Sequence, residues 1–240
     1  MVLRALFAIS FAILLTSCSV FRLAVVEEDE PELEYPGPDS EILQMLDAHR
    51  GMLDRQMGVK ITTIKDTLRF EKPEGALGNM VSDAIRNRAG NELGRYINVG
   101  IIGESSFKLF FEPGELTLGE LYEFMPYENH LVVLTLSGDK VYELANQVAA
   151  LGGAPISGVR FRIDENNRAR GVLVNSEVID PNKKYRIATS SWAANGGDVF
   201  PALWEADERI DLDVSVRTVF VDYFKGRSEI YDFTDGRIRK

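Results

Sequence analysis

Tyr185-Arg-Ile-Ala-Thr-Ser-Ser-Trp192-Ala-Ala-Asn195-Gly196-Gly197-Asp198-Val-Phe200 runs a strand-like segment straight into a glycine turn. Gly196 and Gly197 let the backbone take positive φ and let another group come close to main-chain N–H donors. The Trp192 indole offers a flat stacking face, and the Asp198 carboxylate, a little further on, accepts hydrogen bonds of the kind a sugar diol donates. With Asn195, Gly196 and Gly197 as turn backbone, these parts suit a nucleoside. The same residues also make an ordinary turn at a strand end.

Outward from this turn the chain alternates helix and strand patterns. Ser40 caps a helical pattern to about Arg55 that places Ile42, Leu43, Leu46, Met52 and Leu53 on one face. Residues 75–89 read as a second helix, with Leu77, Met80, Val81, Ala84 and Ile85 on one side. Ile97–Ile102 is a continuous apolar run, expected to be a buried strand. Leu118–Phe124 is a short helix, His130–Leu136 a strand and Lys140–Leu151 a helix. Val159–Ile163 and Val172–Val174 pair around the Asp164-Glu-Asn-Asn turn, Tyr185–Ser191 feeds the glycine turn, and Val214–Lys225 is a last helix. Helices mix with strands that need not all be parallel, so the expected fold class is α+β, a single domain with a mixed β-sheet packed by helices.

The N-terminus has a different character. Met1-Val-Leu-Arg4 is a short basic region, followed by the apolar run Ala5 to Leu15 and then Leu15-Thr16-Ser17-Cys18, a secretory signal too short to span a bilayer. Its end resembles the bacterial lipobox, which implies that residues 1–17 are removed and that Cys18, the sole cysteine, is lipidated. Lipidation implies a membrane partner and the cell envelope. Ser19 stands where an aspartate marks inner-membrane retention, so the expected place is the outer membrane, in either leaflet. Residues 18–39 include Glu27-Glu-Asp-Glu-Pro-Glu-Leu-Glu-Tyr-Pro-Gly-Pro38, whose charge and prolines cannot build a core; they read as an acidic tether ahead of a domain at 40–240. The formal net charge is −10, and loss of Arg4 with the signal deepens it. Such a surface repels nucleic acid.

Further segments carry a resemblance. Leu77-Gly-Asn79-Met-Val-Ser-Asp83-Ala-Ile, Gly114-Glu-Leu-Thr117-Leu-Gly-Glu-Leu121, Pro126-Tyr-Glu-Asn129, Leu136-Ser-Gly138, Ile156-Ser-Gly158-Val-Arg160, Asp180-Pro-Asn-Lys-Lys-Tyr185 and Gly236-Arg-Ile238 occur in order around the Asn195-Gly-Gly-Asp198 turn. Together they resemble the 5′-nucleotidase C-terminal domain family over roughly residues 40–240. The resemblance implies a nucleoside or nucleotide as ligand. Two aromatic rings, Tyr127 and Trp192, would sandwich the base, and Asp198 would take the ribose hydroxyls. The phosphate side departs from the family pattern. Gly103-Glu-Ser-Ser-Phe-Lys108 stands where the family has N-G-G-G-I-R, so Gly103 replaces a base-contacting asparagine and Lys108 an arginine. Lysine keeps the charge and loses the bidentate fork. A second phosphate arginine falls near Pro73, with Arg69 close but out of register. Glu104 would repel a phosphate if it faced inward.

Enzymes of that family carry a separate metallophosphoesterase domain with two metal ions, which activate water and stabilise phosphoryl charge. This sequence has two histidines, His49 and His130, and no D-x-H or G-N-H-[DE] segment, nucleophile elbow or Walker A loop. No catalytic residue, metal site or cofactor is assigned to the chain itself, and any dinuclear metal is expected on a partner metallophosphoesterase. Three readings stay open: the recognition subunit of a split 5′-nucleotidase in nucleotide catabolism, a lipid-anchored nucleoside- or nucleotide-binding module, and a relic scaffold for protein interaction.

Overall fold

The computed structural model describes residues 40–107 and 110–240. The signal segment, the tether and Cys18 lie outside the described residues, as does Lys108. The chain divides into two compact units, Met1–Leu46 and Asp47–Lys240. Helix α1 (Ser40–Met57) begins in the first. The second holds everything described below.

Strand β1 (Lys60–Ile64) is followed by α2 (Ala76–Leu93) and β2 (Val99–Ile101), then by β3 (Gly114–Thr117), α3 (Leu118–Phe124), β4 (His130–Ser137) and α4 (Gly138–Ala150). Next come β5 (Ile156–Ser157), β6 (Val159–Ile163), β7 (Ala169–Val174), β8 (Glu177–Val178), β9 (Lys184–Ser190) and the one-turn α5 (Ser191–Ala194). The chain ends with β10 (Glu208–Ser215), α6 (Val216–Lys225), β11 (Glu229–Ile230) and β12 (Ile238–Arg239). The fold is α+β, as expected, with its strands in three sheets: β11-β1-β3, a central β10-β4-β9-β2-β5 and β12-β6-β7-β8. In the central sheet β2 runs parallel to β9 while β4 runs antiparallel to it.

The central sheet is buried on both faces, which explains why its strands read as apolar runs instead of alternating ones. Along β4, Leu131 and Val133 join one core, while Val132, Leu134 and Leu136 join the other. The first core also takes Leu77, Val81 and Ile85 from α2, with Val219, Phe220 and Phe224 from α6. At its centre Phe107, Phe111 and Phe124 pack ring against ring, with centroids 4.8 and 4.7 Å apart. The second core fills with Val141, Leu144 and Val148 from α4 and with Phe161, Val172 and Val174 from the β6–β7 sheet. β10, at the edge, is mostly exposed and carries Glu208, Arg209, Asp211 and Asp213, charges that discourage further strand pairing. The sequence pattern missed this strand for that reason: it has little apolar signal.

Three of the motifs have direct structural explanations. Thr117 starts α3 with a reciprocal capping box, its hydroxyl accepting from Glu120 N and the Glu120 carboxylate accepting from Thr117 N at 2.7 Å. The segments around Asn79 and Gly236 meet in space. Asn79 Nδ2 donates to Glu74 Oε1 at 2.6 Å, and the same oxygen accepts from Asp235 N and Gly236 N. Beside them Arg237, 8% exposed, donates to Asp83 Oδ2 at 3.0 Å and to Asp235 Oδ1 at 3.1 Å. Burial opposes the guanidinium charge, and the hydrogen bonds to Asp235 and Asp83 outweigh it, so its pKa is raised.

Replacing Arg237 by alanine leaves Asp83 without its counter-ion and Asp235 with Arg160 alone. Arg237→Ala is expected to lower unfolding free energy by about 3–5 kcal/mol, measured by urea denaturation of the two proteins at neutral pH. A loss within the scatter of surface substitutions would show that the pair is dispensable.

Candidate functional site

Strand pairing brings three loops to one end of the central sheet. The antiparallel register of β4 and β9 sets Leu131 opposite Ser190, so the residues before β4 lie beside those after β9. Parallel β2 ends at the same side, and its following loop includes the one-turn 3₁₀ segment Glu104–Ser106. These loops enclose a cavity of about 230 Å³ lined by Ser105, Ser106, Tyr127, Asn129, Trp192 and Gly197. Tyr127 and Trp192, distant in sequence, therefore line one pocket. They are 46% and 50% exposed, so both rings are open to solvent on part of their surface.

Each wall is held by identifiable contacts. Trp192 lies in α5, where Ser190 Oγ accepts from Ala193 N at 3.2 Å as a helix cap. Ser191 Oγ accepts from His130 N at 3.1 Å, tying this helix to the start of β4. The turn then closes through Asn195 N to Ser191 O, Gly196 N to Ala193 O and Gly197 N to Trp192 O. Gly196 takes φ +87°, a conformation that favours glycine. At Gly197 the need for glycine is steric: a Cβ would fall 2.2 Å from Trp192 Cδ2 and Cε2, far inside van der Waals contact. The close approach that the glycine permits is thus filled by the indole itself. Asn195 faces away from this role, its Oδ1 accepting from Arg209 Nη1 at 2.7 Å.

The Tyr127 segment is braced by Arg217 of α6, which donates from Nε to Met125 O and from Nη2 to Pro126 O, both at 2.8 Å. Arg217 also lies over the Tyr122 ring, 4.7 Å from its centroid. This positioning residue carries no motif signal, because its function depends on a tertiary contact between α6 and a loop far upstream.

Asp198 is placed differently from the turn reading. It is 7% exposed and is not among the residues lining the cavity. Its Oδ1 accepts from Val199 N at 2.9 Å, while Oδ2 has no hydrogen-bond partner. The carboxylate lies against Gly103, where a Cβ would fall within 1.7 Å of Oδ2. An asparagine at position 103 is therefore incompatible with this position of Asp198, and the two departures belong together. Burial raises the Asp198 pKa, opposed by the backbone N–H groups of Val199 and Gly103. Ser106, buried yet lining the cavity, also has an unpartnered hydroxyl. Ser105, Ser106 and Asn129 stand within the sequence motifs, but no pattern there gave them a role.

Among the described residues no lysine or arginine lines the cavity, and Glu104 does not line it either. Arg69 is engaged elsewhere, 3.1 Å from Glu112 Oε1 and over the Phe110 ring. His49 and His130 join no cluster, for among the described residues no group of three His, Cys, Asp or Glu side chains could hold a metal ion. The described residues do not fit a dinuclear metal centre. No helix among them is long and apolar enough to cross a membrane.

The family model for the 5′-nucleotidase C-terminal domain matches residues 59–205, more than half of the chain. The chain belongs to this family. It is 24% identical over 238 residues to the trifunctional nucleotide phosphoesterase protein YfkN of Bacillus subtilis, covering 91% of this chain and 16% of that protein. It is 25% identical to an apyrase of Tabanus yao over 68% of this chain and 34% of the apyrase. The crystal structure of a 5′-nucleotidase precursor from Thermus thermophilus superposes with a TM-score of 0.70 at 25% identity, covering 82% of this chain and 42% of that one. The chain thus spans less than half the length of each of these relatives.

The buried Asp198 carboxylate makes a pH-dependent expectation. Its folded-state pKa is raised, so the contribution of Asp198 to stability is lost as pH climbs from the ordinary carboxylate range through the raised value. Asp198→Asn removes that loss. Its denaturation midpoint is expected to match wild type in acid and to exceed it at neutral pH; an advantage that shrinks with rising pH would contradict the assignment.

Proposed function

We propose that residues 40–240 form the substrate-recognition domain of a 5′-nucleotidase-type hydrolase system and bind a nucleoside or nucleotide between Tyr127 and Trp192. The observation that carries this reading is that both rings line one solvent-open cavity, made by strand pairing from separate motifs of the family. The cavity of about 230 Å³ lies below the about 300–1,000 Å³ usual for drug-sized ligands, which suits a planar base with the rest of the ligand outside. Stacking on two aromatic faces does not discriminate strongly among bases, because every base has a π-face. Ser106 lines the cavity, and its buried hydroxyl has no hydrogen-bond partner. Asp198 would reach ribose hydroxyls only by turning its carboxylate away from Gly103.

The hydrolytic step is assigned to a metallophosphoesterase unit, since among the described residues no group of three His, Cys, Asp or Glu side chains could hold a metal ion. One observation favours a second reading, a nucleoside-binding lipoprotein without a catalytic role: no cation among the described residues lines the cavity to meet a phosphate. In either reading Cys18, lipidated, fixes the domain to the cell envelope, with residues 18–39 as spacer. Blocking that attachment gives a direct check. Cys18→Ser is expected to abolish incorporation of labelled fatty acid and to move the protein from the membrane fraction to the soluble one. Unchanged fractionation would rule the anchor out.

Binding is best followed by Trp192 emission in a Trp204→Phe background, because Trp204 is the other tryptophan and lies near Gly196. Titration with adenosine and with its monophosphate is expected to give a saturable change. Tyr127→Ala should weaken it by about 1–3 kcal/mol, roughly five- to 150-fold, without altering the fold. Unchanged emission with both ligands at millimolar concentration would defeat the reading. Equal affinity for the two ligands would favour the nucleoside-binding alternative.

A further inference from the structure

A second cavity of about 510 Å³ opens among α2, the start of β6, the β7–β8 turn, α6 and the C-terminal segment. It shares no lining residue with the Tyr127–Trp192 pocket. Four arginines line it, Arg86, Arg160, Arg227 and Arg237, against two carboxylates, Asp83 and Asp235. In a chain of net charge −10 this is a local reversal of sign.

The carboxylates are already committed. Arg237 bonds both Asp83 and Asp235, and Arg160 bridges Asp235 at 3.2 Å while donating to its carbonyl at 2.9 Å. Arg227 has no carboxylate: it donates to Tyr223 O at 2.7 Å and stacks over the Tyr223 ring at 3.6 Å. The Arg86 side chain, half-buried on α2, makes no hydrogen bond or ion pair among the described residues. A partly buried guanidinium is costly without a counter-charge, and its planar fork matches a phosphoryl group in a bidentate fashion.

The backbone around Arg86 keeps it in place. Gly158 takes φ +76°, and a Cβ there would fall 1.9 Å from Asn98 O and 2.7 Å from Arg86 Nη1. Glycine at 158 is what leaves room for the guanidinium at the cavity wall. Gly158 O accepts from Asn175 N at 2.9 Å, and Asn175 Oδ1 accepts from the Tyr96 hydroxyl at 2.8 Å. Asn175 and Ser176, at φ 53° and 69°, complete the opposite wall.

We propose that this cavity is an anion site that binds a phosphoryl group of a small molecule through Arg86 and Arg227. Its volume is of the size that holds a phosphorylated metabolite. The net charge of −10 disfavours a nucleic acid backbone. The site does not depend on the nucleoside pocket.

The test is calorimetric titration of the full chain with inorganic phosphate and with glycerol phosphate at low ionic strength. Saturable binding of both is expected, and Arg86→Gln should weaken it about ten-fold or more, the loss of charge-assisted hydrogen bonds. The thermal midpoint of Arg86→Gln should not fall below the wild-type value, as Arg86 gives up no protein partner and loses an unpaired charge. Trp192→Ala should bind phosphate as wild type does. No binding at millimolar phosphate, or equal binding by wild type and Arg86→Gln, would overturn the proposal. Loss of phosphate binding in Trp192→Ala would overturn it too, by moving the anion to the other pocket.

Discussion

The antiparallel register of β4 with β9 is the constraint on which the site depends. It runs from Leu131 opposite Ser190 to Ser137 opposite Lys184, in the middle of a sheet buried on both faces. A slip of one residue would exchange the residues of β4 between the two cores and point each apolar side chain at the wrong partners. Because that slip is so costly, the Pro126–Asn129 segment and the α5 turn are held side by side. With β2 parallel to β9, the Gly103–Ser106 loop is delivered to the same end, and Phe107 anchors it into the aromatic cluster of the first core. The pocket is a consequence of strand order, with loops supplying only the chemistry.

Much of the fold was legible because its central elements carry strong patterns. Leu118–Phe124 and Val159–Ile163 have the bounds their periodicity gave, and β4, β9 and α2 differ only at their ends. Short or polar elements were not legible: β3 has four residues and the exposed edge strand β10 is charged along its length. α5 escaped because a one-turn helix has no period to detect. The glycine turn lies at the cavity that Tyr127 and Trp192 line. Its physics was less legible, for sequence does not reveal that the space above Gly197 is filled by Trp192. Nor does it reveal that the carboxylate of Asp198 turns onto Gly103, a contact between loops after β2 and β9. Arg217 was invisible for a related reason: it braces a loop far upstream, a tertiary contact that no local spacing encodes.

The two cavities differ in chemistry. Around Tyr127 and Trp192 the described lining is aromatic and neutral, with one orphaned hydroxyl. Around Arg86 and Arg227 it is cationic, with its own carboxylates already paired. Glycines make both possible by close approach, Gly197 beneath an indole and Gly158 beneath a guanidinium. Substituting either would alter a cavity without removing an apolar side chain from the core.

The central claim is that Tyr127 and Trp192 hold one ligand ring between them. Intermolecular nuclear Overhauser effects from the base protons of bound adenosine test it most directly. The account expects cross-peaks from the same base to ring protons of both Tyr127 and Trp192. Cross-peaks to neither ring, or to one ring alone at saturating adenosine, would contradict it.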